Sequence, residues 1–174
     1  MWEEREEIHA SSIGACVAGL KAVKHLVVVP DELIWKGECA LAKLLPRESE
    51  TKETDLALLS LIYPYAIVTP EQRDAILDGV ERLLVRERGV CRYLGDRYYG
   101  DDSNEASWTM GLPWLAIIYK LMNKPHKHAF YMRKCIDALN SDGELPELYY
   151  ANSSRHNENT PLAWAHSLMV VAAA

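Results

Sequence analysis

The chain has 174 residues, enough for one domain with a buried core, and 49% of them are hydrophobic. Acidic residues number 25 against 19 basic, a net charge of −6. That balance argues against a nucleic-acid-binding surface and suits a neutral or cationic ligand, while Val27-Val28-Val29 is too short for a signal or membrane-spanning segment.

The spacing predicts helices along most of the chain. Residues 6–26 place Ile13, Val17, Leu20 and Val23 on one apolar stripe. Pro30-Asp31 marks a break, and a second helix follows over 31–45 through Leu33, Ile34, Leu41, Leu44 and Leu45. Pro46 ends it, and residues 47–52 read as a charged connector. A third, strongly apolar helix is expected over 53–67 through Leu56, Leu59 and Ile62, bent or ended by Pro64. Thr69-Pro70-Glu71 combines a capping hydroxyl, a proline at the first helical position and an acid at the positive dipole end. It opens a fourth helix over 70–87. Residues 88–107 carry Gly89, Gly95 and Gly100 and are the one stretch expected to hold short irregular strands. Helices are expected again over 112–122 and 125–140, the latter closed by Ser141-Asp142-Gly143. Thr160-Pro161 opens a seventh that runs to the C-terminus.

The reading is a single all-α domain, 1–174, of antiparallel helix pairs with alternately short and long connections. Such pairs stack in a solenoid or close into an α/α toroid. In the second case the long connectors gather at one end and build a site there. Those connectors are rich in aromatic residues. Five Trp and nine Tyr against one Phe favour rings with an apolar face and a polar edge, suited to stacking on a sugar.

Two glutamate motifs stand near the chain ends, Trp2-Glu3-Glu4-Arg5 and Leu145-Pro146-Glu147-Leu148. Two carboxylates facing each other across a pocket are what glycoside hydrolysis requires, one as acid and one as base. Glu144 rivals Glu147, and the Pro-Glu context favours Glu147. Cys16, Cys39, Cys91 and Cys135 form no CxxC pair and read as buried free thiols, which points to a reducing, cytoplasmic compartment. No metal site is expected, because no Cys or His pair has ligand spacing. His126 and His128 fall on a solvated helix start.

Three blocks in order resemble the glucoamylase-type enzymes of glycoside hydrolase family 15. They are Trp2-Glu3-Glu4-Arg5, the run Arg92-Tyr93-Leu94-Gly95-Asp96-Arg97-Tyr98-Tyr99 with Leu112-Pro113-Trp114-Leu115, and Leu145-Pro146-Glu147 with the Thr160-to-Ser167 run. The resemblance implies an (α/α)6 barrel and an inverting mechanism. It implies Glu3 as general acid, Glu147 as general base, and Trp2, Glu4, Arg92 and Asp96 as sugar-binding residues. The substrate would be an α-linked glucan or oligosaccharide, with no cofactor, no nucleic acid and no membrane. Leu148 departs from the family, which has Gln after the base. About seven helices correspond to the C-terminal half of the toroid. The chain is therefore expected to be inactive alone and completed by an N-terminal half-barrel chain or by a homo-oligomer covering the open face. The alternative is a non-catalytic scaffold like the glucoamylase-like regions of phosphorylase kinase regulatory subunits.

Overall fold

The computed structural model of the protein describes residues 6–100 and 104–174. Among these are seven α-helices, one 3₁₀ turn and a two-stranded antiparallel sheet. Contacts divide the chain into two compact units, Met1–Val80 and Glu81–Ala174.

The first unit opens with α1 (Ala10–Val23), which starts later than its apolar stripe suggests. The reason lies in the connector 47–52. The N–H of Ala10 donates to the Glu48 carbonyl at 2.7 Å, and the N–H of Ser11 donates to Glu48 Oε2 at 3.1 Å. Two donors at the helix start are thus satisfied from outside the helix. The connector is not the solvated segment its charges suggest: Glu48 is 1% exposed and Ser49 is fully buried. Helix α2 (Asp31–Leu44) packs on α1, and Gly37 allows the approach, since a Cβ there would sit 2.5 Å from Val17 Cγ2.

The expected third helix is reduced to a 3₁₀ turn, Leu56–Leu58, and the single turn α3 (Leu59–Ile62). Asp55 Oδ1 accepts the Ala57 N–H at 2.7 Å and sets the start. Tyr63 is extended, as the residue before a proline prefers. Leu56, Leu58, Leu59 and Leu61 are nonetheless fully buried. The apolar pattern reports burial, and the local backbone chemistry decides helix length. Helix α4 (Pro70–Leu83) begins with the capping expected of Thr69. The Thr69 hydroxyl accepts the Gln72 N–H at 3.3 Å, and the Gln72 side chain accepts the Thr69 N–H at 2.9 Å.

In the second unit, β1 (Ser107–Trp108) pairs with β2 (Leu148–Tyr149), Trp108 opposite Leu148. The strand at 107–108 falls at the edge of the predicted irregular stretch. The one at 148–149 has no counterpart in the sequence reading, because two buried residues carry no visible period. Between them lie α5 (Gly111–Leu121), buried from Gly111 to Tyr119, and α6 (Pro125–Asp137). A helix apolar all round belongs inside. Tyr119 stacks on Tyr131 across α5 and α6, with centroids 5.7 Å apart. Helix α6 stops short of residue 140 because Asn140 Oδ1 takes the N–H groups of Asp142 and Glu144 into a turn. The last helix, α7 (Ala163–Ala173), packs on α5 through Trp164 and Trp114, 5.7 Å apart.

Gly89 touches the sheet backbone. A Cβ there would lie 2.8 Å from both the Ser107 carbonyl carbon and the Trp108 oxygen. Backbone cannot rotate away as a side chain can, so Gly89→Ala is expected to destabilise the protein by about 1–3 kcal/mol. Urea denaturation measures it, and an unchanged midpoint contradicts the close approach.

Among the described residues all four cysteines are free, but only Cys91 and Cys135 are buried, and Cys16 is exposed. The expectation of four buried thiols fails at Cys39, which is half-buried, and at Cys16, which lies on an outward position of α1. No helix among the described residues is long and apolar enough to cross a membrane.

Candidate functional site

Glu147 sits where the β2 strand meets the segment leading to α7. Its backbone is fixed on both sides: the carbonyl accepts the Thr109 N–H at 3.1 Å, and its N–H donates to the Asn159 carbonyl at 3.0 Å. The preceding residues are pinned as well. Thr109 Oγ1 donates to the Pro146 carbonyl, and the Leu145 N–H donates to His166 Nε2 of α7 at 2.8 Å. His166 thus supports the loop. The Glu147 carboxylate is half-buried. Oε2 accepts from Asn157 Nδ2 at 2.5 Å and from Asn159 Nδ2 at 2.7 Å, while Oε1 accepts no protein hydrogen bond among the described residues.

Glu144 belongs to the turn after α6, exchanging hydrogen bonds with Asn140. Arg155 lies over the Tyr150 ring at 5.4 Å. The donors at Glu147 are the two asparagine amides.

Arg92 and Asp96 meet in a buried pair. Arg92 is 6% exposed and Asp96 2%. The pair is bidentate, Nε to Oδ2 and Nη2 to Oδ1, both at 2.6 Å, and Oδ1 also accepts the Tyr98 N–H at 2.9 Å. The guanidinium lies over Tyr98 at 4.9 Å and over Trp108 at 5.0 Å. A planar cation over aromatic faces, forked onto a carboxylate, is a rigid unit. It fixes Tyr98, which is 54% exposed, against Trp108. Tyr99 follows with φ of +58°, the left-handed region that bulky residues rarely occupy, and its ring meets Tyr150 edge-on at 6.0 Å.

Trp2, Glu3 and Glu4 lie outside the described residues. Among the described residues no three His, Cys, Asp or Glu side chains gather to hold a metal ion.

No family model matches the chain. A wild-type glycosidase superposes on it with a TM-score of 0.78 at 20% identity, covering 99% of this chain and 53% of the other. The fold is that of half a helical-toroid glycosidase. A variant of the same description, solved in complex with glucose, gives a TM-score of 0.75 over 99% of this chain. In sequence, the chain is 35% identical over 107 residues to a probable phosphorylase b kinase regulatory subunit alpha of Caenorhabditis elegans, covering 53% of this chain and 9% of that protein. It is 23% identical over 209 residues to an uncharacterized glycosyl hydrolase of Methanocaldococcus jannaschii, covering 98% of this chain and 33% of that one. The chain therefore spans about half the length of the glycosidase and a third or less of these two relatives.

Sequence reasoning singled out Glu147, Arg92 and Asp96 but passed over Asn157 and Asn159. The signal was the alternation Asn157-Glu158-Asn159. In extended chain, positions two apart face the same way, and here both amides reach one carboxylate oxygen.

Proposed function

We propose that the protein is an inverting, exo-acting α-glucosidic hydrolase of glucoamylase type, acting on α-linked glucans or oligosaccharides, with Glu147 as general base and Glu3 as general acid. The observation that carries this reading is the Glu147 carboxylate, with one oxygen held by two amides and the other bearing no hydrogen bond among the described residues. Oε1 takes a proton from water as the water oxygen attacks the anomeric carbon. The glycosidic bond breaks on the opposite face, and Glu3 gives its proton to the leaving oxygen. An inverting mechanism calls for about 6.5–9.5 Å between its acid and its base, room for the attacking water. The buried Arg92–Asp96 pair forms the floor of the terminal-glucose site, with Trp2 and Glu4 contacting the sugar as their motif implies. The glucose bound to the similar glycosidase variant supports the choice of ring. The reaction needs no metal or cofactor.

A glycosidase of this fold is about twice as long. The toroid is completed by a further half. Val170 and Val171 on α7 are 68% and 44% exposed and suit being covered by it. The 174 residues alone are inactive in this reading. A reducing, cytoplasmic setting fits four free thiols, two of them pushed up by burial to about 11 at Cys91 and about 12 at Cys135.

The test is product stereochemistry. Fresh hydrolysate of maltose from the completed enzyme, followed by proton NMR, is expected to show β-glucose first; α-glucose first overturns the inverting assignment. A second reading, a non-catalytic regulatory or carbohydrate-binding scaffold, is favoured by the 35% identity to the kinase regulatory subunit and by Leu148, which is fully buried where the family has Gln. Sugar binding without turnover in the completed toroid selects it.

A further inference from the structure

Behind the two-stranded sheet lies a cavity that the proposed hydrolysis does not use. Its volume is about 350 Å³, and its lining residues all belong to the second unit. Small-molecule sites run from roughly 300 to 1,000 Å³, so this one suits a ligand of one or two rings. The strands set its place. Ser107 pairs with Tyr149, and Trp108 with Leu148. Cross-strand partners share a face, and successive residues alternate between faces. Ser107 and Tyr149 line the cavity, while Trp108 meets the Arg92 guanidinium at 5.0 Å on the other face. The sheet thus stands between the cavity and the Arg92–Asp96 pair, and neither that pair nor Glu147 lines it.

The lining is polar and its charges balance. Arg86 and Arg88 are offset by Glu87 and Glu105. Arg86 Nη1 donates to the carbonyls of Leu83 at 2.8 Å and Val85 at 3.2 Å, and Nη2 lies 3.5 Å from Glu105 Oε2. Glu105 Oε1 accepts the Gly95 N–H at 2.7 Å. Arg88 lies over the Tyr149 ring at 5.2 Å, and its Nη1 reaches the Asp137 carbonyl at 3.4 Å. These contacts hold the charged groups in place, and their sum leaves no net charge to draw in an ion.

Ser107, Tyr150, Asn152, Ser153 and Ser154 add hydroxyls and an amide. Ser107 is only 8% exposed, yet its hydroxyl makes no hydrogen bond with another described residue. A buried hydroxyl needs a partner, and the cavity is where one can sit. The turn opposite is tied down. The Ser153 N–H donates to the Tyr150 carbonyl at 3.2 Å, and Ser153 Oγ accepts the Arg155 N–H at 2.8 Å.

We infer that this cavity is a second sugar site, binding a short neutral glucan segment apart from Glu147. Each sugar hydroxyl both donates and accepts. The lining answers with guanidinium and amide donors, carboxylate acceptors, and serine and tyrosine hydroxyls that do both. An ionic ligand would meet a like charge for each opposite one. The choice of glucose as the sugar unit rests on the hydrolase reading, whereas the position and polarity of the cavity do not.

The test titrates the full 174-residue chain with maltotriose and follows the backbone amides by nitrogen-15 NMR. Saturable shifts are expected at Ser107, Tyr149 and residues 152–154. Ser154→Trp sets an indole into the cavity from an exposed position of the turn. It is expected to raise the half-saturating concentration at least ~10-fold, the loss of about one good contact. If that variant fails to fold by circular dichroism, Ser107→Ala serves, and one lost hydrogen bond is expected to raise it about 3–10-fold. Shifts confined to residues around Glu147, no saturable shift at the cavity, or uptake there of inorganic phosphate and not of maltotriose overturns the inference. The hydrolase reading fails separately, through full activity of Glu147→Gln in the completed enzyme, because the cavity titration needs no turnover.

Discussion

Glu147→Gln is expected to lower kcat of the completed enzyme by about 10²–10⁴-fold, the range for loss of a general base. The substitution changes chemistry while keeping shape. A glutamine can place its carbonyl oxygen where Oε2 now accepts from Asn157 and Asn159. Its amide nitrogen then occupies the Oε1 position, where it cannot take a proton from water. The backbone bonds to Thr109 and Asn159 are untouched. Folding stability should therefore change by less than about 1 kcal/mol, and KM should shift little beside kcat. Glu144→Gln is the control, since Glu144 works only in the turn with Asn140. If Glu147→Gln retains wild-type turnover, or Glu144→Gln alone abolishes it, the assignment of the base is wrong.

Stability of the first unit is expected to fall as pH rises from about 4.5 through 7, and Glu48 is the cause. Burial, and then the charge of Asp55, push its carboxyl up to about 7 against the two hydrogen bonds from Ser11. The groups facing it are Ser11, His9 at 3.3 Å and buried Asp55, which itself lies 3.8 Å from Lys52. The folded state holds the Glu48 proton more tightly than the unfolded chain, so it binds more protons between the two values. The contribution is complete below 4.5 and is lost as pH rises through 7. The gap corresponds to about 3 kcal/mol at ~1.4 kcal/mol per pH unit. Glu48→Gln mimics the protonated form, so its urea midpoint should exceed wild type at pH 8 and approach it near pH 4.5. Parallel curves for the two proteins across that range would show that Glu48 does not carry the effect. Glu7 acts in the opposite sense. Hydrogen bonds from Ser49 and Thr51 hold it down to about 2, so its contribution is present above 4.5 and fades only as pH falls toward 2.

These two residues mark different depths of legibility. Glu147 could be picked from Pro146-Glu147 and its block. Glu48 looked like one charge in a solvated connector, yet it is buried and its carboxylate and carbonyl take the first N–H groups of α1. The helix termini that proline and threonine set were readable: Pro30 before α2, Thr69-Pro70 before α4 and Pro125 opening α6. The termini set by distant side chains were not, as at the start of α1 and in the shrunken third helix.

The sequence by itself determined that the chain is helical and where most helices begin, while Leu33, expected on the apolar stripe of α2, is 49% exposed. The first two properties depend on local capping, proline geometry and apolar period. It also singled out Arg92, Asp96 and Glu147. Only the tertiary structure decided that Arg92 and Asp96 are buried under aromatic rings, that strands at 107–108 and 148–149 meet, and that Asn157 and Asn159 hold one oxygen of Glu147. Each of these joins residues separated by a turn or by whole helices. A contact across that distance follows from where the backbone is carried, and spacing along the chain does not encode it.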